Sequence, residues 1–219
     1  MARRYELVLG LILASLAFQL ATPDENWSRL VAIVLQGAAL IAVLYAAEVH
    51  PLIRRAASAA IAIAVLAAVL TLTGLEDEGP GPARIMNLLL VALAPAAIAH
   101  GLIRDVRAEG RVRLPTMFGV LCVYLLIGMI FAAGYGAIDD LANESFFGQP
   151  DEGTTADFLY FSYATITTVG YGDLTAATDL GRSLAITEAL IGQIYLVTVV
   201  ALIVGNLARR SGAHAGPTA

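Results

Sequence analysis

The sequence predicts an all-α integral membrane protein: six transmembrane helices with a re-entrant helix and loop between the fifth and the sixth. Three observations predict it. Of 219 residues, 58% are hydrophobic and only 14% charged, with a mean hydropathy of +0.77. A soluble domain of this size has too little charge to cover so much apolar surface. Six apolar runs approach the length of about 20 residues that a helix needs to cross a roughly 30 Å hydrocarbon core. The arginines then alternate sides from one connection to the next.

The six runs are Glu6–Leu20, Leu30–Ala47, Ala56–Leu75, Ile85–Ile103, Phe118–Ile138 and Leu180–Leu207. The first is the shortest. Met1–Arg4 followed by an apolar stretch also has the form of a secretory signal, with Ser15-Leu16-Ala17 as a weak cleavage site; we read it as a retained span. Pro95 removes a hydrogen bond from the fourth span and is expected to kink it. Gly, Ala and Ser are abundant in the first four spans, which lets them pack closely as a bundle.

All 13 basic residues are arginine. Arg3, Arg4, Arg54, Arg55, Arg104, Arg107, Arg111, Arg113, Arg209 and Arg210 fall on one side, against Arg29, Arg84 and Arg182 on the other. That split places both termini in the cytoplasm of a multi-pass protein of the cell membrane. The acids follow the opposite pattern. Asp24, Glu25, Glu76, Asp77, Glu78, Asp139, Asp140, Glu144, Asp151, Glu152 and Asp157 all fall in external segments.

Several function classes drop out. A net charge of -5 does not suit a nucleic-acid partner. The single cysteine, Cys122, precludes an intrachain disulfide. His50, His100 and His214 share no metal-ligand spacing. His100, near the inner end of the fourth span, reads as a packed or interfacial residue rather than a pH sensor. There is no nucleophile–base pair or phosphate loop, so neither an enzyme nor an organic cofactor is expected. A secondary transporter would show a second copy of the broken segment, and residues 1–110 have none.

Between the fifth and sixth spans, Asp157–Thr167 is apolar enough for a short helix and too short to cross. Thr154, Thr155 and Asp157 suit its N-terminus. Non-spanning backbone at membrane depth is tolerated only where protein or a water-filled cavity surrounds it. Next comes Thr168-Val169-Gly170-Tyr171-Gly172-Asp173. In a soluble protein Gly-Tyr-Gly would be an ordinary turn. Here the spacing suits a ring of backbone carbonyls that replaces the water of a potassium ion. Facing successive carbonyls to one side requires φ > 0 at alternate residues, hence Gly170 and Gly172. The Thr168 hydroxyl adds an oxygen at the inner end, and Val169 and Tyr171 brace the strand from behind. The helix before it directs its negative end at the interior, favouring a cation.

Thr165-Ile166-Thr167-Thr168-Val169-Gly170-Tyr171-Gly172-Asp173-Leu174 resembles the selectivity-filter signature of tetrameric potassium channels. The likeness runs through Gly181-Arg182 and the sixth span, covers about Asp157–Leu207 strongly, and is similar to prokaryotic pore modules. The first four spans match the six-span plan in number and orientation only.

The resemblance implies a potassium-selective channel subunit, assembled as a four-fold symmetric homotetramer, with K+ as permeant ion and lipid as neighbour. Thr168, Val169, Gly170, Tyr171 and Gly172 would supply the ion-coordinating oxygens, and Asp173 the outer mouth. K+ itself would sit at Thr168, Val169, Gly170 and Tyr171. Gly192 falls at the hinge position of the inner helix. Gln193, Leu196, Val200 and Val204 would face the cavity or gate, where a ring of Val200 or Val204 can close by dewetting. Some relatives carry a glutamate where this chain has Ala164, and a tryptophan pair at Tyr160 and Phe161; filter stability and inactivation are therefore open. Residues 1–110 would form a four-helix domain, 111–208 the pore domain and 209–219 a short cytoplasmic tail, too short for a ligand-binding domain.

Glu188 lies inside the sixth span, where an ionisable group needs a partner. It reads as a brace behind the filter, bonded to hydroxyls such as Thr165 or Thr167. The fourth span has no arginine between Ile85 and Ile103, so strong voltage gating is not expected. The alternative function is a non-conducting or regulatory membrane sensor built on the same fold.

Overall fold

The computed structural model describes residues 2–47, 50–72, 81–109, 114–142, 145–149, 153–201 and 205. Seven α-helices run in order: α1 Ala2–Ala21, α2 Asn26–Ala46, α3 Pro51–Leu72, α4 Gly81–Glu109, α5 Leu114–Leu141, α6 Thr155–Ile166 and α7 Asp179–Tyr195. A π-helical turn, Leu196–Val200, extends α7. Each expected span overlaps one helix, and α6 falls on the segment expected to be re-entrant; the ends of the third and sixth expected spans lie outside the described residues. Val204, Glu144 and the tail from Arg209 lie outside the described residues.

Among the described residues two stretches, Trp27–Ala46 and Thr116–Leu141, are both long and apolar enough to cross a membrane. Tyr5–Ala21 and Val91–Arg104 are shorter apolar stretches. α4 continues through Pro95 as one helix.

The helices share one core. α1 packs on α2 and α5, α2 on α3 and α4, and α4 on α5. Tyr5, Val8 and Ile12 of α1 are buried beside Leu40 and Val43 of α2, Ile98 of α4 and Leu126 and Met129 of α5. The short α6 sits against α5, α7 and α1. Polar side chains inside this apolar packing find each other. Gln19 Nε2 donates to Ser15 O at 3.1 Å and Ser15 Oγ at 3.0 Å, and Gln36 Nε2 to Gln19 Oε1 at 3.3 Å.

The segment between α5 and α6 is tied down by aromatic packing. Phe146, Phe147, Phe158, Phe161 and Tyr135 form a contiguous cluster, with ring centroids 4.7 Å apart for Tyr135–Phe146 and 5.1 Å for Phe147–Phe158. Phe147 pairs with Ala176 in an isolated antiparallel bridge. Gly148 N donates to Thr175 O and Ala177 N to Phe146 O, both at 2.9 Å. Asp139 Oδ1 accepts from Phe146 N at 2.7 Å. Asp139, expected from the sequence to lie in the loop, is in the last turn of α5 and fastens this segment to that helix.

Candidate functional site

The site begins at the N-terminus of α6, whose first turn needs partners for its exposed N–H groups. Thr154 is the N-cap, and its hydroxyl accepts from Asp157 N at 3.2 Å while Asp157 Oδ2 accepts from Thr154 N at 2.9 Å. The sequence marks both residues as suited to this helix start, and the structure makes their cap reciprocal.

At the other end, the last carbonyls of α6 also need donors. Tyr163 O accepts from Thr167 N at 3.2 Å and Thr167 Oγ1 at 2.5 Å. Ala164 O accepts from Gly170 N at 3.0 Å and Thr165 O from Thr168 N at 2.9 Å. Ile166 O accepts from Tyr124 Oη of α5 at 3.1 Å. Two donors come from the loop that follows, so the end of α6 and the start of the loop form one hydrogen-bonded unit.

The loop has a regular conformation. Thr168, Gly170 and Gly172 have φ of 59°, 55° and 83°. Every second residue is left-handed, the alternation that facing successive carbonyls to one side requires. The two glycines were anticipated, but Thr168 was not. A side chain in that region costs about 1–2 kcal/mol. Its neighbours hold it there, since Thr168 N and Gly170 N are both bonded to α6. A Cβ at Gly170 or Gly172 would meet nothing within 4 Å, so backbone conformation rather than space accounts for both.

Val169 and Tyr171 are exposed in the single chain, at 53% and 70%. The Tyr171 ring lies parallel to that of Tyr160 on α6, with centroids 5.9 Å apart and an 8° tilt. Tyr160 Oη donates to Asp173 Oδ2 at 2.7 Å, which holds the Asp173 carboxyl below its ordinary range. Gln149 Nε2 donates to Asp173 O at 2.7 Å. Gln149 was not foreseen, because nothing in the sequence shows that 145–149 pairs with the strand after the loop.

Glu188 is fully buried behind the loop. Its Oε2 accepts from Tyr135 Oη of α5 at 2.6 Å, and its Oε1 is bonded to Ser162 of α6. Ser162 Oγ also donates to Gly128 O at 2.7 Å. The carboxyl therefore ties α7 to α5 and α6, but through Ser162 and Tyr135 instead of Thr165 or Thr167. Ser162 lies about one helical turn before Ile166, so the contact falls nearer the N-terminus of α6 than the threonines do. The Thr167 hydroxyl is taken by Tyr163 O.

Gly192 is buried, and close approach accounts for it. A Cβ there would come within 2.5 Å of Ile166 Cγ1 and 2.7 Å of Ile166 O. α7 departs from α geometry one turn later, at Leu196–Val200. Thr198 Oγ1 donates to Ile194 O at 2.5 Å, and such back-bonding competes for a helix carbonyl and loosens the turn. Gln193 and Leu196 are exposed in the single chain, as are Ile186, Leu190, Ile194 and Val197. The side chain of Val200 and all of Val204 lie outside the described residues.

Residues 119–209 match the family described as Ion channel. This stretch is thus similar to the domains that family describes. It contains the larger part of α5, all of α6, the left-handed loop and α7. The chain is also similar to "Two pore potassium channel a" of Oryza sativa subsp. japonica, at 35% identity over 89 residues. That match covers 41% of this chain and 22% of the relative. No solved structure matches the chain. The matched stretch is the part with the alternating loop and its buried supports, while α1–α4 precede it.

Proposed function

We propose that the chain is one subunit of a potassium-selective channel that conducts K+ passively across the cell membrane. The observation that carries this reading is the left-handed conformation at Thr168, Gly170 and Gly172, on every second residue. It gives each chain one column of carbonyls, with K+ coordinated at Thr168, Val169, Gly170 and Tyr171, and Gly172 leading to the outer mouth at Asp173. One chain supplies one column, and closing a ring takes several related by a cyclic axis. The resemblance to tetrameric channels makes the assembly a homotetramer. The exposed apolar faces of Val169, Tyr171, Ile186, Leu190 and Ile194 support it, since a neighbour or lipid would cover them.

In this reading residues 1–110 form the peripheral bundle, 111–208 the pore and 209–219 a cytoplasmic tail. All six long helices cross, and both termini are cytoplasmic. Glu188, with Ser162 and Tyr135, is the brace; Thr165 supports the filter by accepting from Thr168 N, and Thr167 by its backbone and hydroxyl bonds to Tyr163 O of α6. Gly192 is the hinge of the inner helix, and Gln193, Leu196, Val200 and Val204 face the cavity or gate. The test is ion flux from liposomes carrying the purified full chain. K+ efflux with little Na+ efflux supports the channel. Intact, correctly assembled protein that passes neither ion would assign the non-conducting sensor reading instead.

A further inference from the structure

α6 is capped twice, and the second cap comes from a distant part of the chain. Asp24, in the turn between α1 and α2, accepts with Oδ2 from Thr155 N and Thr155 Oγ1, both at 3.1 Å. Thr155 is the first residue of α6. The other carboxylate oxygen, Oδ1, accepts from Arg29 Nε at 2.7 Å. A negative charge at a helix N-terminus meets unpaired N–H groups and the positive end of the dipole. Burial opposes ionisation of Asp24, but the hydrogen bond and charge of Arg29, with the two bonds from Thr155, outweigh it and hold the carboxyl below its ordinary range.

The turn that carries Asp24 is itself rigid. Thr22 Oγ1 donates to Phe18 O at 2.7 Å, closing α1. Glu25 and Ser28 form a reciprocal cap on α2, and Ser28 Oγ contacts Pro23 O at 2.7 Å. Trp27 Nε1 donates to Glu25 Oε2 at 2.6 Å, and the Trp27 ring meets Phe18 edge-on at 6.2 Å. Asp24 is therefore a fixed anion, not a mobile loop side chain. It borders a cavity of about 200 Å³ lined also by Gln19, Thr22, Arg29, Thr154 and Thr155.

The far end of α6 is bonded to the filter at Thr168 and Gly170. A helix of 12 residues, about 18 Å long, moves as one body. Whatever fixes its N-terminus helps to fix the filter. We propose that Asp24, oriented by Arg29, is a positioning residue that clamps the first helical hairpin to the pore helix and holds the filter in its conducting arrangement. This rests on the channel reading. It gives α1 and α2 a role in conduction that needs no charge movement, and couples residues 131 positions apart through one carboxylate.

The experiment uses the full chain in liposomes with external solutions of defined anion. Asp24→Ala is expected to lower K+ flux and to speed amide hydrogen exchange at Thr155, each by about tenfold. External formate, a free carboxylate small enough for the vacated site, is expected to restore part of both; chloride is not. Thr155→Val keeps the N–H and loses the hydroxyl, so it gives a smaller loss, and the double variant is no worse than Asp24→Ala alone. A purely structural loss of fold would not respond to formate. If Asp24→Ala fails to fold, Thr155→Val and Arg29→Gln carry the same comparison. Unchanged flux and exchange in these variants, or additive losses for Asp24→Ala and Thr155→Val, would overturn the clamp. If the unsubstituted protein passes no K+, the channel reading fails, and exchange at Thr155 still decides the clamp.

Discussion

Replacing Glu188 separates hydrogen bonding from charge at the back of the filter. Glu188 is 0% exposed and its partner Tyr135 only 1%. Glu188→Ala removes the acceptor 2.6 Å from Tyr135 Oη and strands that hydroxyl in the core. An unsatisfied buried donor costs about 1–3 kcal/mol. The void left by the shortened side chain adds about 1–2 kcal/mol. Ser162 is less affected, because Gly128 O remains its acceptor at 2.7 Å. The sum is about 2–5 kcal/mol. Glu188→Gln keeps an oxygen for Tyr135, and its amide can donate to Ser162 Oγ, whose own hydrogen serves Gly128. Every member of that chain then has a partner, and the cost falls below about 1 kcal/mol. Unfolding of the purified variants in micelles, followed by circular dichroism alongside K+ flux from liposomes, measures both effects. Glu188→Ala should be clearly less stable and conduct poorly, with Glu188→Gln close to the unsubstituted protein. Tyr135→Phe in the Glu188→Ala background should recover part of the loss, since it removes the stranded hydroxyl. Equal damage from Glu188→Gln and Glu188→Ala would show that charge, not the hydrogen-bond chain, is what matters, and the brace would be refuted.

Gly170→Ala and Gly172→Ala should each abolish selective K+ flux, because a Cβ at φ of 55° or 83° is strained by about 1–2 kcal/mol and redirects the carbonyl, although space is available; unaltered selectivity by ion-replacement flux would remove the filter assignment. Asp173 has its carboxyl held below the ordinary value of 3.8 by Tyr160, so the contact is present at neutral pH and is lost only as external pH falls through that lowered value. A pH titration from the external side should therefore show no change attributable to this contact between about pH 7 and 5, and a midpoint inside that window that Asp173→Asn abolishes would contradict it. The conductance–voltage relation should be shallow. Steep gating takes about three or four charges per subunit, each contributing about 2.3 kcal/mol per 100 mV, and α4 carries no arginine between Arg84 and Arg104; a gating charge of several units per subunit in voltage-clamp recordings would refute this.

What the sequence disclosed depended on the range of each interaction. Apolar runs located the long helices, though not their exact ends, and cap chemistry located the start of α6, because both are properties of contiguous residues. Thr154 and Asp157 show this most clearly, since their reciprocal bond spans three positions. The loop glycines were legible for the same reason, as φ > 0 has a residue-type signature. Thr168 was not, because threonine carries no such mark and is held left-handed by bonds to α6. Glu188 was recognised as needing a partner from its depth in an apolar run, yet its partners were misassigned. Ser162 and Tyr135 reach it across 26 and 53 positions, and only the packing angles of α5, α6 and α7 determine which hydroxyls arrive. The same holds for Gln149 on Asp173 and for Asp24 on Thr155. The close approach of Ile166 to Gly192 was likewise not legible, since it joins two helices far apart in sequence.

The most direct measurement of the central claim is the reversal potential of the purified full chain in planar bilayers, with K+ on one side and Na+ on the other. A current that reverses near the K+ equilibrium potential, and shifts with K+ but not with Na+, is the predicted result. Reversal near zero under that gradient, from protein that is folded and assembled, would show that the column of carbonyls at 168–172 does not select potassium.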